Sequence, residues 1–153
     1  TQTPDGYIGN YADDKHLAAW DIWGRKYCML GLLSYYDLTG DKKSLVAAGK
    51  VADHLMKELK DRNALIVKLG NHRGMAASSV LEPICLLYVR SGEKKYLDFA
   101  EDIVRDFKII SRCSQSLSKT TNQLVRLGTG TKSLRDDVVL RRIARTVPHY
   151  RQA

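Results

Sequence analysis

The sequence predicts an all-α protein, and three observations support this class. Apolar residues recur at steps of three and four along most of the first 110 residues, which is the spacing of helices with one buried face. Only three prolines occur in 153 residues. Residues 36–45 also match residues 88–97 at a fixed offset of 52, so the chain contains an internal repeat.

The predicted helices are of two alternating kinds. Two of them, within residues 45–59 and 97–107, carry a single apolar stripe: Leu45, Ala48, Ala52, Leu55 and Leu59 in the first, and Leu97, Ala100, Val104 and Phe107 in the second. The other two, Ala18–Leu38 and Met75–Val89, are apolar on every face, which predicts burial all round. Pro83 lies inside the second of these and predicts a kink there, because proline lacks an amide donor.

The repeat places a glycine at the end of each apolar helix. Gly40 and Gly92 occupy matching positions, followed by Asp41 and Glu93. A glycine in the left-handed conformation commonly ends a helix, and an acidic residue suits the positive start of the next. Each repeat is therefore predicted to be one helical hairpin.

Two such hairpins, in the order inner, outer, inner, outer, predict part of an (α/α)6 toroid, in which inner helices are ringed by outer ones. A four-helix bundle is the alternative, but it does not explain why alternate helices are apolar all round. The predicted toroid fragment spans residues 1–110, and an irregular basic tail spans residues 111–153.

The positive charge of the chain lies in that tail. Residues 1–110 hold 16 Lys and Arg against 15 Asp and Glu, whereas the tail holds nine basic residues and only Asp136 and Asp137. The tail also contains no Glu, Phe or Trp. Because the basic charge is confined to the tail, we expect no nucleic-acid partner. No uncharged stretch in the first two thirds of the chain is long enough for a membrane helix, so we expect no membrane partner either.

The candidate site lies where the inner helices begin, because these ends converge at one mouth of a toroid. Aromatic rings stack on the C–H faces of sugars and short polar side chains bond hydroxyl groups, so the sequence indicates a carbohydrate partner. The candidate substrate-binding residues are Trp20, Trp23, Asn71, His72 and Arg73, and the candidate catalytic residues are Asp21 and Glu82.

Each candidate has a structural alternative. Trp20 and Trp23 fit core packing as well as ligand binding, and Asp21 fits a helix-start carboxylate. Glu82 lies among apolar residues, so it is either a general acid with a raised pKa or, more commonly, a buried partner of an arginine. No metal ligand is assigned, because no second His or Cys lies at ligand spacing from His72.

Three motifs resemble a known family: PDGYIGNY at residues 4–11, WDIWGRKYCMLGLLSYYDLTGDKKSL at residues 20–45 and GNHRGMAASSVLEP at residues 70–83. They are similar to the β-L-arabinofuranosidases of glycoside hydrolase family 127, over roughly residues 3–111. The resemblance implies an (α/α)6 toroid that continues beyond this chain. It also implies a retaining mechanism with a zinc-bound cysteine nucleophile and a Glu acid/base, from residues later than the matched part. Neither Cys28 nor Cys85 matches a metal ligand of the family, so zinc is expected only in the full-length member and no cofactor in this chain.

The tail does not resemble the family's continuation as written. Codons can be chosen so that about residues 130–153, displaced by one base, encode that continuation. We therefore hypothesise that residues from about Ile110 onward are out of frame, a change that would also remove a candidate zinc-ligating cysteine.

The leading functional interpretation is a truncated fragment of a glycoside hydrolase acting on β-L-arabinofuranosides or related glycans. A toroid sugar epimerase or isomerase, in which His does the chemistry, is the alternative within enzymes. A basic nucleic-acid-binding helical adaptor is the alternative from another class.

Overall fold

A computed structural model describes the backbone of residues 1–122 and the side chains of residues 1–108. Within these residues the fold is all-α and contains no strand. The helices are α1 Asp21–Thr39, α2 Lys42–Asp61, α3 Met75–Ser78, α4 Leu81–Ser91 and α5 Lys94–Asn122. Short 3₁₀ turns at Asp13–Lys15 and Ile66–Lys68 precede α1 and α3.

The two glycines predicted to end helices do so. Gly40 and Gly92 have φ of 71° and 72°, and their amides donate to the carbonyls of Tyr36 and Tyr88 at 2.8 Å. The Asp41 carboxylate then caps α2 by accepting a hydrogen bond of 2.9 Å from the Lys43 amide. The repeat is thus two helical hairpins, α1 with α2 and α4 with α5.

The core forms where these hairpins pack together. Ala48, Ala52, Leu55 and Leu59 are buried along α2, which confirms the predicted apolar stripe. They meet Met29 and Leu33 of α1, Ile84 and Leu87 of α4, and Ala100 and Ile103 of α5. Burying a leucine, isoleucine or methionine side chain contributes about 1.5–3 kcal/mol to stability. The packing of these side chains therefore holds the two hairpins together.

The prediction that α1 is buried on every face is wrong for the described residues. One face carries Met29 and Leu33 at 1% exposure or less, but the opposite face leaves apolar side chains 39–86% exposed. Helices α2, α3 and α4 pack against α1 and cover one side of it. The exposed side chains are Trp20, Trp23, Tyr27, Tyr35 and Leu38.

The second apolar segment is two helices rather than one kinked helix. The interruption lies at Ser79 and Val80, before Pro83, which occupies the first turn of α4. An amide at Pro83 would have bonded the Ser79 carbonyl, and proline has none. The carbonyl instead accepts from the Glu82 amide at 3.4 Å. The proline therefore ends α3 early, four residues before the predicted position.

Helix α5 runs without interruption from Lys94 to Asn122. It therefore passes through residue 110, where we expected the toroid fragment to end. The predicted irregular tail begins at residue 111, and its part beyond Asn122 lies outside the described residues. In the described part, no helix combines the length and apolar character needed to cross a membrane.

Candidate functional site

A row of exposed aromatic side chains lies at the start of α1. The Trp20 and Trp23 ring centroids are 5.3 Å apart in an edge-to-face arrangement, and Tyr27 continues the row at 4.6 Å from Trp23. The spacing of three and four residues places the three rings on one face of the helix. All three are between 39% and 51% exposed, so their faces are accessible to a ligand. We call Trp20, Trp23, Tyr27 and the neighbouring His72 the aromatic row.

The loop before α3 brings His72 to this row. The His72 ring centroid lies 5.2 Å from that of Trp20. The Asn71 amide donates a 3.0 Å hydrogen bond to the carbonyl of Ala19, which ties the two predicted mouth segments together. Arg73 is exposed next to His72. The structure therefore places Trp20, Trp23 and His72 together, with Asn71 joined to them through its backbone.

The backbone of this loop is held in an unusual conformation. His72 and Arg73 have φ of 55° and 54°, a region that costs non-glycine residues about 1–2 kcal/mol each. Gly74 follows at φ 82°, and a Cβ there would lie 1.8 Å from the Val67 carbonyl oxygen. The close approach of Gly74 to Val67 thus fixes the loop that carries His72.

Glu82 lies on α4 and pairs with a lysine of α1 within the described residues. The Lys26 ammonium is 3.1 Å from Glu82 Oε2, and 5.3 Å from the ring centroid of Tyr27. Lys26 is buried, whereas the Glu82 side chain is 28% exposed. This ion pair therefore lies beside the aromatic row with its carboxylate partly open to solvent. Lys26 and Tyr27 were not among the candidate binding or catalytic residues, although both follow Trp23 at helical spacing.

Asp21 is fully buried under the start of α1. Its carboxylate accepts hydrogen bonds from the Tyr7 hydroxyl at 2.9 Å, the Leu17 amide at 2.8 Å and Arg25 Nη2 at 2.6 Å. Burial, together with the hydrogen bond to Asp21, raises the pKa of Tyr7 to about 12. These contacts favour the helix-start alternative for Asp21, and its catalytic role stays a prediction.

The Arg25 side chain links Asp21 to the partly buried carboxylate of Glu58. Arg25 Nη1 lies 2.6 Å from Glu58 Oε2, and the other Glu58 oxygen lies 2.7 Å from His16 Nδ1. Burial opposes ionisation of Glu58, but the hydrogen bonds from His16 and Arg25 outweigh it and lower the pKa. His54 lies 3.3 Å from Glu58 and reaches Asp5 at 3.2 Å.

This buried network was not predicted, although the sequence carries a signal for it. His54, Glu58 and Arg62 follow one another at steps of four along α2, as Asp21 and Arg25 do along α1. The network joins residues 5–21 to both helices of the first hairpin. It therefore supports the start of α1, where the aromatic row lies.

The network contains three groups spaced as metal ligands, His16, His54 and Glu58, whose ligand atoms lie within 4.8 Å of one another. The Arg25 guanidinium already occupies this space, at 3.1 Å from His54 Nδ1, and a second cation would be repelled. Nor do the described cysteines form a thiolate centre: burial raises the pKa of the Cys85 thiol to about 11, and Cys28 lies on a different helix. The described residues do not fit the zinc–cysteine group of the resembled family.

Fold and site together define an all-α domain with two exposed tryptophans in edge-to-face contact, and with polar side chains beside them, at the start of a helix. The chain matches the family model of the β-L-arabinofuranosidase GH127 catalytic domain over residues 1–149, and it belongs to this family. The predicted family is thereby confirmed, and the chain is placed among glycoside hydrolases. No curated protein and no solved structure matches the chain.

Proposed function

We propose that this chain supplies the sugar-binding wall of a catalytic domain that hydrolyses β-L-arabinofuranosides or related glycans. The observation that supports this most is the aromatic row on a chain of this hydrolase family. Exposed indole faces stack on the C–H groups of a furanose ring, and His72, Asn71 and Arg73 bond its hydroxyl groups.

In the same proposal, α1 and α3–α4 are inner helices of an (α/α)6 toroid, and α2 and α5 are outer helices. The exposed apolar face of α1 supports this arrangement, because an inner helix is covered by neighbours on both sides. The chain is then a fragment of the toroid. The nucleophile and the zinc that the family resemblance implies belong to other residues of the full-length member.

Sugar binding is tested by titrating the chain with methyl β-L-arabinofuranoside and following tryptophan fluorescence. We expect Trp23→Ala and His72→Ala to weaken binding about tenfold or more, which corresponds to a lost contact of about 1.5 kcal/mol. Tyr35→Ala is the control, because Tyr35 is an exposed aromatic residue of α1 outside the aromatic row. Equal affinities for wild type, Trp23→Ala and His72→Ala, or no binding by wild type, would overturn the proposal.

The role of Glu82 is tested in the catalytically active protein that contains this domain. If Glu82 is a general acid, Glu82→Gln lowers turnover at least about 100-fold and leaves the melting temperature intact. If Glu82 is instead the structural partner of Lys26, Glu82→Gln mainly lowers the melting temperature, because the buried Lys26 ammonium loses its counter-charge. We expect the structural result, and Lys26→Met should then restore stability to Glu82→Gln.

A further inference from the structure

An ion pair lies at the end of the aromatic row opposite to His72. Lys26 of α1 and Glu82 of α4 meet at 3.1 Å, and the Lys26 ammonium also lies 5.3 Å from the ring centroid of Tyr27. The His72 ring contacts Trp20, at the other end of the row. The aromatic row therefore has a polar group at each of its ends.

The two members of this pair differ in their exposure to solvent. The Lys26 side chain is 7% exposed, whereas that of Glu82 is 28% exposed. Water screens a buried ammonium poorly, so Lys26 holds the carboxylate more firmly than a surface lysine would. Glu82 also lies in the first turn of α4, where the helix dipole favours a negative charge. The carboxylate is thus fixed in position and still reachable from solvent.

The charges of the pair favour a neutral ligand that carries hydroxyl groups. The Lys26 ammonium balances the charge of the Glu82 carboxylate, so neither a cation nor an anion gains from the pair as a whole. An ionised carboxylate can accept about four hydrogen bonds, so it can accept from hydroxyl groups while the ammonium stays at Oε2. The exposed ring of Tyr27 beside the pair offers an apolar face to the C–H groups of the same molecule.

We propose that Glu82 determines specificity in the sugar site: its carboxylate, anchored by Lys26, accepts hydrogen bonds from free hydroxyl groups of a sugar that covers Tyr27 and Trp23. The choice of a sugar as the ligand rests on the proposed function. An acceptor that is left without its donor costs free energy, so the site should reject sugars that lack the hydroxyl at this position. In this role Glu82 binds the ligand as an ionised acceptor and does not act as a general acid.

The test compares methyl β-L-arabinofuranoside with its 2-deoxy and 3-deoxy analogues by tryptophan fluorescence. Wild type should bind at least one analogue about tenfold or more weakly than the parent sugar. Lys26→Met/Glu82→Gln removes the pair without leaving a buried charge. This variant should bind the parent sugar at least about tenfold more weakly than wild type and should discriminate less against that analogue.

The matched control is Arg90→Met/Asp37→Asn. It removes another ion pair between α4 and α1, in which Arg90 Nε lies 2.7 Å from Asp37 outside the aromatic row, and it should bind all three sugars as wild type does.

The outcomes separate this proposal from the proposed function. If wild type binds the parent sugar and Lys26→Met/Glu82→Gln binds it equally well, or prefers it over the analogues as strongly, the role of Glu82 is overturned while the proposed function stands. Equal affinity of wild type for all three sugars also overturns the role of Glu82, and this result needs no variant. Absence of binding by wild type overturns both proposals.

Discussion

At the scale of single residues, the buried charges beneath the aromatic row have the largest energetic consequences. Arg25 is fully buried and neutralises two carboxylates, those of Asp21 and Glu58. Its guanidinium also lies 4.5 Å from the Tyr7 ring centroid. One side chain thus joins α1, α2 and the N-terminal segment.

The first prediction concerns this side chain. Arg25→Met should lower the free energy of unfolding by about 3–5 kcal/mol, because it leaves buried carboxylates without a counter-charge. Urea denaturation measures the change. Arg105→Met is the control: Arg105 pairs with Asp102 on the exposed side of α5, and its loss should cost less than about 1 kcal/mol. Equal losses in the two variants would contradict the buried network.

A second prediction concerns pH. The folded-state pKa of Glu58 lies below its ordinary value of 4.5, so its contribution to stability is present above pH 4.5 and is lost as pH falls through the folded-state pKa. Glu58→Gln should be less stable than wild type at pH 7, and the difference should shrink below about pH 4.5.

The basic groups that face Glu58 are His16, His54, Arg25 and Arg62. Protonation of Glu58 removes the counter-charge of the two guanidinium groups, which adds to the acid destabilisation of wild type. Glu101→Gln, which changes an exposed glutamate of α5, should show no such pH dependence. A stability difference between Glu58→Gln and wild type that is constant from pH 3 to pH 7 would refute the linkage.

At the scale of elements, the helix ends and the His72 loop depend on glycines in different ways. Gly40 needs a positive φ, but a Cβ at this position would meet no atom within 4 Å. Gly74 also has a positive φ, and in addition a Cβ there would collide with the Val67 carbonyl oxygen. Gly31 lies inside α1, has no positive φ, and a Cβ there would meet no atom within 4 Å.

A third prediction follows for alanine substitutions at these positions. Gly31→Ala should stabilise by about 0.5–1 kcal/mol, because alanine loses less backbone entropy in a helix. Gly40→Ala should cost about 1–2 kcal/mol for the left-handed conformation alone. Gly74→Ala should cost more than Gly40→Ala and alter Trp20 fluorescence, since the loop must move. If Gly74→Ala is more stable than Gly40→Ala in urea denaturation, the approach of Gly74 to Val67 does not hold the loop.

At the scale of the whole molecule, family membership raises the question of activity. Cys28 and Cys85, the cysteines whose side chains the structure describes, lie on different helices and do not form a thiolate pair that could hold zinc. The fourth prediction is therefore that the purified chain of 153 residues does not hydrolyse an aryl β-L-arabinofuranoside, with or without added zinc. Zinc-dependent turnover by this chain would disprove it.

The basic tail supplies the fifth prediction. The family match extends to residue 149 of the sequence as written, beyond the resemblance over residues 3–111, and the hypothesis of a shifted frame did not predict this. We expect that restoring one base between the codons of Phe107 and Lys119 recovers the family's continuation. Sequencing the coding DNA tests this, and an intact frame in which no such base is missing would show that the tail is genuine.

Local signals in the sequence determined the helices and their turns. The offset of 52, the stripe from Ala48 to Leu59, and Gly40 and Gly92 each depend on residues a few positions apart, so periodicity and turn chemistry were sufficient to predict the two hairpins. The motifs around Trp20 and His72 likewise indicated the family without the fold. The position of the break near Pro83 was missed by four residues, because the missing amide acts on the preceding turn.

Tertiary structure alone decided which faces are buried and which charges meet. Trp20 and Met29 belong to the same apolar segment, yet only packing by α2, α3 and α4 determines that one is exposed and the other buried. Glu58 is distant in sequence from His16 and Arg25, and no local pattern specifies that it contacts both of them. Burial and ion pairing depend on contacts between elements, whereas helix formation depends mainly on neighbours along the chain.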